Sequence, residues 1–325
     1  MSISRYVLPL LLFASITFPG TSSAADWPTN NIRMIVPFSA GGSIDRFARG
    51  LAQHWEERLD GVSIVVENRS GASGLLGART FLGSEADGHT MFVGIQPTLS
   101  MNIVVQNAPF SLDDFAFVNM EQRDYGSVVV RAESPYQTIH DFVDEARAKP
   151  GELSVAMIQG GGTTLFGLSM IQALDLDVRV VTFDGGGELR TNMLGGHSDV
   201  TISGAFGDLA LGDQVRVLTV ASESRFPGHP DAPPINEAYD GIDVPALGDS
   251  RFLAVHSSFA RENPEAFATL VESYRETFES EKYQAYMAET GSDVISGYIG
   301  PDDTTRLANE LHEVVQGLSD VLRAE

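Results

Sequence analysis

The chain has no cysteine, only two lysines and only two tryptophans in 325 residues. Without cysteine it can form neither a disulfide nor a thiolate metal site. Its basic side is thin: Lys plus Arg number 21 against 44 Asp plus Glu, for a net charge of −23. That balance makes nucleic acid and anionic lipid surfaces poor partners. Its blander meaning is surface solvation, with one consequence for function. An anionic ligand would be repelled at long range and would have to be held by local N–H groups and dipoles. Catalytic signatures are missing too. There is no G-x-S-x-G elbow, no H-E-x-x-H and no histidine pair at ligand spacing, and His54, His89, His140, His197, His229, His256 and His312 are scattered. The glycine runs match neither G-x-x-x-x-G-K-[ST] nor G-x-G-x-x-G, so no nucleotide cofactor is expected, and no metal. A hydrolase with dispersed Ser, His and Asp remains as a rival class.

Long apolar runs are confined to the N-terminus. Residues 1–25 carry Arg5, the apolar segment Tyr6 to Phe18, Pro19-Gly20 and the small residues Thr21 to Ala25. They read as a secretory signal peptide cleaved after Ala25 or Ala24, too short in its apolar part to span a bilayer. No cysteine follows to take a lipid, so the expectation is a soluble, exported, periplasmic protein. About 300 remaining residues suffice for a core without staples and favour two lobes over one.

What is present is organised around Ile35 to Ala48, I-V-P-F-S-A-G-G-S-I-D-R-F-A. The apolar run Ile32 to Val36 reads as a strand closed at Pro37. Ala40, Gly41 and Gly42 allow a tight turn, Ser43 stands where a helix is capped, and Ile44, Phe47, Ala48, Leu51, Trp55 and Leu59 fall at helical spacing. Strand, glycine turn and helix N-terminus aim several free N–H groups at one place, which suits an anion; the competing reading is a tight connection with no ligand. Asp45 has two readings, ligand contact or complement to the helix dipole.

The rest alternates apolar runs with amphipathic stretches. Strands at Ile64–Val66 and Thr90–Ile95 and a helix through Leu75 to Leu82 complete a parallel unit wound by right-handed crossovers. The loop from Gln96 to Ser100 leaves the third strand at its carboxyl end, so it should face the same cleft as Ser39 to Gly42. A second series begins near Ser127, with strands at Val128–Arg131, Leu153–Ile158, Val178–Phe183, Val200–Ser203 and Val215–Ala221 and helices at Thr138–Ala148, through Leu165 to Leu174, and to Leu194. The tail holds a strand at Phe252–His256 and helices from Pro264 and from Pro301 to Leu322. A tail that returns to the first lobe would explain the late strand.

These residues resemble a known family. Pro37 to Arg49, P-F-S-A-G-G-S-I-D-R-F-A-R, is similar to the P-[FY]-x-A-G-G-x-x-D-x-x-A-R signature of the substrate-binding proteins of tripartite tricarboxylate transporters, the Bug receptors. The likeness runs over the whole chain beyond the leader. Val66 to Gly74 resembles V-E-N-R-P-G-A-G-G, Ala86 to Thr90 resembles P-D-G-Y-T, Asp114-Phe115 opens D-F-x-P-V, Lys149-Pro150-Gly151 is the K-P-G turn, and Leu194 to Asp199 resembles L-L-G-G-x-V-D. The resemblance implies an α/β type II periplasmic-binding-protein fold, with two α/β lobes around a central ligand cleft. Residues 26–126 and 247–325 would form lobe 1, and 127–246 lobe 2. It implies a monomeric receptor that is not an enzyme and hands a small carboxylate to large and small membrane subunits. A periplasmic sensor for a two-component system is the alternative use of the same binding event.

Carried over by position, Phe38, Ser39, Ala40, Gly41 and Gly42 would line the first-lobe side, holding a ligand carboxylate by backbone N–H groups and water rather than by an arginine. Thr98 and Ser100 match small polar residues of the next cleft loop. Gly162, Thr163 and Thr164 lie in the glycine-rich loop of lobe 2, and Phe183 takes the tyrosine of V-P-Y-K-G. Two departures bear on specificity, Asp184 and, where the glycine loop is usually followed by histidine, Phe166. Asp184 replaces that motif's lysine; it is either solvated or, facing the cleft, selects a hydroxyl, amide or amine over a second carboxylate. Arg251 stands near a tryptophan-arginine-glycine of some members, and either pairs with a distal anion or bridges a surface carboxylate at a strand end.

Overall fold

The computed structural model describes residues 27–183 and 186–324. The leader and Asp184 lie outside the described residues. Strands β1 (Ile32–Val36), β2 (Ile64–Asn68) and β3 (Thr90–Gln96) form a parallel unit in the order β2-β1-β3. Helices α1 (Ser43–Glu56) and α2 (Leu75–Leu82) make its crossovers. The strand period of two sorts β1 between two cores. Ile32, Met34 and Val36 join Leu51 and Trp55 of α1, whereas Ile35 joins Phe81 of α2 and Phe92 of β3. Helices therefore cover both faces, as a parallel sheet requires.

Helix α3 (Thr98–Val104) follows, then β4 (Phe115–Arg131), which is 17 residues long. The second series is α4 (Ile139–Ala148), β5 (Ser154–Ile158), α5 (Gly162–Ala173), β6 (Arg179–Phe183), α6 (Gly186–Leu194), β7 (Val200–Gly204), α7 (Ala205–Asp208), β8 (Val215–Val220) and α8 (Ile235–Ala238). β9 (Gly248–His256) and helices α9 (Ser257–Glu262), α10 (Pro264–Phe278), α11 (Glu281–Thr290), α12 (Gly300–Gly317) and α13 (Ser319–Ala324) complete the chain. Among the described residues no helix is long and apolar enough to cross a membrane.

β4 belongs to both halves. From Phe115 to Tyr125 it pairs antiparallel with β9, whose other edge pairs with β3; from Gly126 onward it pairs with β7 and β8. Two α/β lobes result, joined where β4 changes partners and where the chain re-enters at Gly248. The tail returns to the first lobe: Tyr274 of α10 meets Trp55 edge-on at 5.4 Å between ring centroids, and Thr304 of α12 accepts the Met120 N–H at 2.9 Å.

Three local readings are corrected. The segment after β3 is not an open loop but turns into α3 at Thr98, where all of Thr98 to Asn102 are buried and a helix satisfies their backbone. The strand expected at Val128 begins at Phe115; buried Asn119, Glu121, Gln122 and Asp124 interrupt its apolar pattern without ending its pairing. The last helix breaks at Leu318, beyond Gly317, rather than running through to Leu322.

Candidate functional site

The turn after β1 is exposed at Ser39, Ala40 and Gly41 and half-buried at Phe38 and Gly42. Gly41 has φ of 81°, the left-handed region that glycine enters without strain. Gly42, not Ser43, is the N-cap of α1, and no side chain caps it. Asp45 braces the turn from below. One carboxylate oxygen accepts from the Gly41 N–H at 2.8 Å and Arg49 Nε at 3.1 Å, and the other from Asn68 Nδ2 at 2.9 Å. Burial alone would raise its pKa; the bonds from Arg49, Gly41 and Asn68 outweigh that and hold it below the usual value.

The floor is made by the two strands that join the lobes, and Arg251 dominates it. It lies inside β9, 3% exposed, not at a strand end facing a surface carboxylate. Its guanidinium is poorly satisfied: Nη1 donates to Gln122 Oε1 at 3.3 Å, Nη2 to Ser43 Oγ at 3.2 Å, and Nη2 stands 3.7 Å from Asp124, while the buried Nε has no partner. A buried cation with donors to spare is costly unless an anion completes it. The Ser43 contact places it beside the N-terminus of α1.

Lobe 2 rests on carboxylates from the floor. Asp249 accepts the Gly162 N–H at 3.0 Å and Asp124 the Phe206 N–H at 2.9 Å, so the first turns of α5 and α7 are tied to β9 and β4. Asp208 takes hydroxyl bonds from Ser127 and Ser203, each at 2.7 Å. Burial raises all three acids, to about 6 for Asp124 and Asp208, partly offset by Arg251 for Asp124 and Asp249 and by the serines for Asp208.

Above this floor lies a cavity of about 580 Å³ between the lobes. Arg46 and Phe47 of α1 close one side, and Phe206 and Arg190 of lobe 2 the other, with Arg251 at the base and Tyr286 of α11 at one end. Among the described residues, three arginines and no carboxylate line it. Of the residues expected at the site, Arg251 lines this cavity and the Gly41-Gly42 turn adjoins it. Gly162 sits two floor residues from Arg251, through Asp249. Thr98 and Ser100 are buried in the first turn of α3, and Ser100 Oγ lies 3.0 Å from His312 Nδ1 of α12. Thr163 is buried in the first turn of α5, and the Thr164 hydroxyl donates to the Ile158 carbonyl. Phe183 is half-buried at the end of β6. Sequence reasoning missed Arg46 and Arg190. The signal for Arg46 was available, four residues after Gly42 on the helix that opens at the turn; nothing in the sequence points Arg190 inward.

The floor strand is anchored by a second buried acid. Glu121 of β4 accepts the hydroxyls of Tyr274 and Tyr283, the latter at 2.7 Å, and burial pushes its pKa up to about 7 against those two bonds. A carboxyl raised on folding stabilises the fold below its unfolded pKa and loses that contribution as pH rises through the folded value. Glu121→Gln is therefore expected to melt higher than the parent at about pH 8, by up to roughly 3 kcal/mol, with the gap closing near pH 4. Melting curves at the two pH values check this; a gap of constant size would mean that folding leaves the Glu121 pKa unshifted.

The family model for the tripartite tricarboxylate transporter family receptor matches residues 47–316. This chain belongs to that receptor family. Within the family it is similar to the protein BugT of Bordetella pertussis, 26% identical over 316 residues that cover 94% of this chain and 93% of the relative. Two solved structures share the fold: a TctC solute binding protein from Polaromonas (TM-score 0.77, 21% identity, 91% of this chain and 99% of that one) and an R. palustris protein with adipate (TM-score 0.76, 22%, 91% and 98%). The family is one of substrate-binding receptors of periplasmic-binding-protein fold, which accounts for the two lobes and for a cavity between them.

Proposed function

We propose that this chain is a periplasmic receptor that takes a small carboxylate between its lobes and delivers it to the large and small membrane subunits of a tripartite transporter. The observation that carries this reading is the charge reversal at the cavity. A chain of net charge −23 lines that cavity with three arginines and, among the described residues, no acid. Residues 1–25 direct export and leave no lipid, residues 26–126 and 247–325 form lobe 1, and 127–246 form lobe 2. The ligand's carboxylate sits at the Gly41-Gly42 turn and Arg251, and Arg190 and Phe206 face it from lobe 2. Closure is a population shift driven by contacts that the ligand makes with both lobes only in the closed state. The BugT likeness and the adipate-bound relative of the same fold support a carboxylate ligand. The chain does no chemistry on it. Its Ser–His pairs, Ser100 with His312 and Ser84 with His256, hold serines at 3.0 and 3.2 Å, yet the second nitrogen of His312 faces Gln316 rather than a carboxylate.

The test is a thermal-shift screen of the protein against mono-, di- and tricarboxylates, aromatic acids and their neutral amides, followed by calorimetry. A ligand at about a hundred times its Kd adds roughly 2.7 kcal/mol of stability, readily seen as a raised Tm. Gly42→Val is expected to weaken binding by at least about tenfold with little change in the unliganded Tm. Its backbone suits any residue, but its Cβ would stand 3.3 Å from the Ser39 carbonyl and its methyls would cover the N–H groups. No shift with any acid, or wild-type affinity in Gly42→Val, would remove the turn from the site.

A further inference from the structure

We propose that Arg190 is a specificity-determining residue, which selects ligands bearing a second anionic group on an apolar body that spans the cavity from Arg251. This rests on the receptor reading above and adds the ligand's shape and charge.

Arg190 belongs to lobe 2, opposite the turn and the floor arginine that hold the first acid group. Space has been cleared for its guanidinium on two sides. A Cβ on Gly207 would fall well inside contact with Nη2, and one on Gly186 would lie 3.1 Å from Nη1. A side chain at either position would push the guanidinium from where it lies. Its Nε is buried without a partner, and among the described residues no carboxylate forms an ion pair with it. The acid nearest in its influence, Asp208, already takes the hydroxyls of Ser127 and Ser203. Arg190 thus meets the cavity from lobe 2 with donors free, opposite Arg46 and Arg251 of lobe 1.

Much of the remaining lining is apolar, beside Arg46, Ser43, Gln122, Thr290 and Ser292. Phe47 from lobe 1 and Phe206 and Leu209 from lobe 2 line the space, with the Tyr286 ring at one end. Hydroxyls lying against these rings and Leu209 would be stripped of water and given few partners, whereas a ring or a methylene chain would lose nothing. A guanidinium recognises carboxylate, sulfonate and phosphonate alike by a two-pronged bond, so the shared chemistry is an apolar-bodied dianion. A ligand that reaches Arg190 from Arg251 also bonds both lobes at once, which favours closure.

The experiment is a cycle between ligand and protein. Calorimetry compares benzene-1,4-dicarboxylate with its mono-amide, and adipate with malate, in the parent and in Arg190→Gln. In the parent the dianion is expected to bind at least about tenfold tighter than the mono-amide, and adipate tighter than malate. In Arg190→Gln the preference for the second charge is expected to fall to near unity, while the order of adipate over malate persists because the apolar walls remain. Equal loss for dianion and mono-amide would make Arg190 a structural residue and overturn the proposal. So would a preference for malate over adipate. Gly207→Ala, which displaces the guanidinium without removing it, should lose the same preference, and its retention would also count against the proposal. If no acid binds the parent, it is the receptor reading that fails; if acids bind without regard to Arg190, only this inference does.

Discussion

Gly162→Ala is expected to be among the most damaging single substitutions the chain can take, at more than about 4 kcal/mol. A Cβ at Gly162 would overlap the Gly248 carbonyl, and one at Gly248 would in turn overlap the Asp124 carbonyl. Three backbones are stacked there in direct contact: the start of α5, the start of β9 and the point where β4 changes lobes. The obstructing atoms are main-chain atoms, so no rotamer relieves the overlap. α5 would have to lift off, breaking the Gly162 bond to Asp249 and leaving that buried carboxylate unpaired. Urea unfolding measures the loss. Gly161→Ala is the control, because its Cβ would meet Asp249 Oδ1 at an ordinary 3.6 Å. If the two variants were equally stable, α5 would not be seated on the hinge strands.

The second large effect is expected from Arg251→Met, which should lose at least about a hundredfold in affinity for whatever carboxylate the parent binds. Methionine keeps much of the volume and removes the charge, so the loss reports on the guanidinium rather than on a cavity. Stability should change as well, with a definite pH dependence. Asp124, whose pKa already stands at about 6, loses the cation that lowers it and rises further. A carboxyl with a raised folded pKa destabilises increasingly as pH climbs from its unfolded value through the folded one. The variant should therefore match the parent near pH 4 and fall behind it by about 3 kcal/mol near pH 8. Calorimetric titration and melting at both pH values test the two halves separately. Parent-like affinity would exclude Arg251 from the site, and a pH-independent deficit would mean that the Asp124 pair contributes little.

Most of the frame was legible because it obeys simple periods. Ile32 to Val36 alternates between two cores, Ile44 to Trp55 repeats at helical spacing, and Asn263-Pro264 opens α10 as such a pair should. Legibility failed where side chains break the pattern for reasons that only the fold supplies. Glu121, Gln122 and Asp124 look like the end of a strand, yet each is buried and partnered from a distance, Glu121 by tyrosines more than 150 residues away. Their partners come from the returning tail and from lobe 2, which no local window contains. The site divided the same way. The Gly41-Gly42 turn announced itself by a contiguous motif. Arg190 did not, because an arginine's charge can be read from sequence but its place beside a glycine 17 residues on cannot.

The arginine-lined hollow in so acidic a shell also shapes the time course of binding. An approaching dianion first meets a repulsive outer field and then, within a few ångströms of the floor, a strongly attractive one. Added salt screens the first far more than the second, because bulk ions reach the surface acids but not the buried guanidinium. Capture should thus quicken with ionic strength while residence time hardly shortens, the reverse of the slowing that salt imposes on most electrostatically steered partners. For a receptor that must keep its cargo once bound, slow escape matters more than fast arrival.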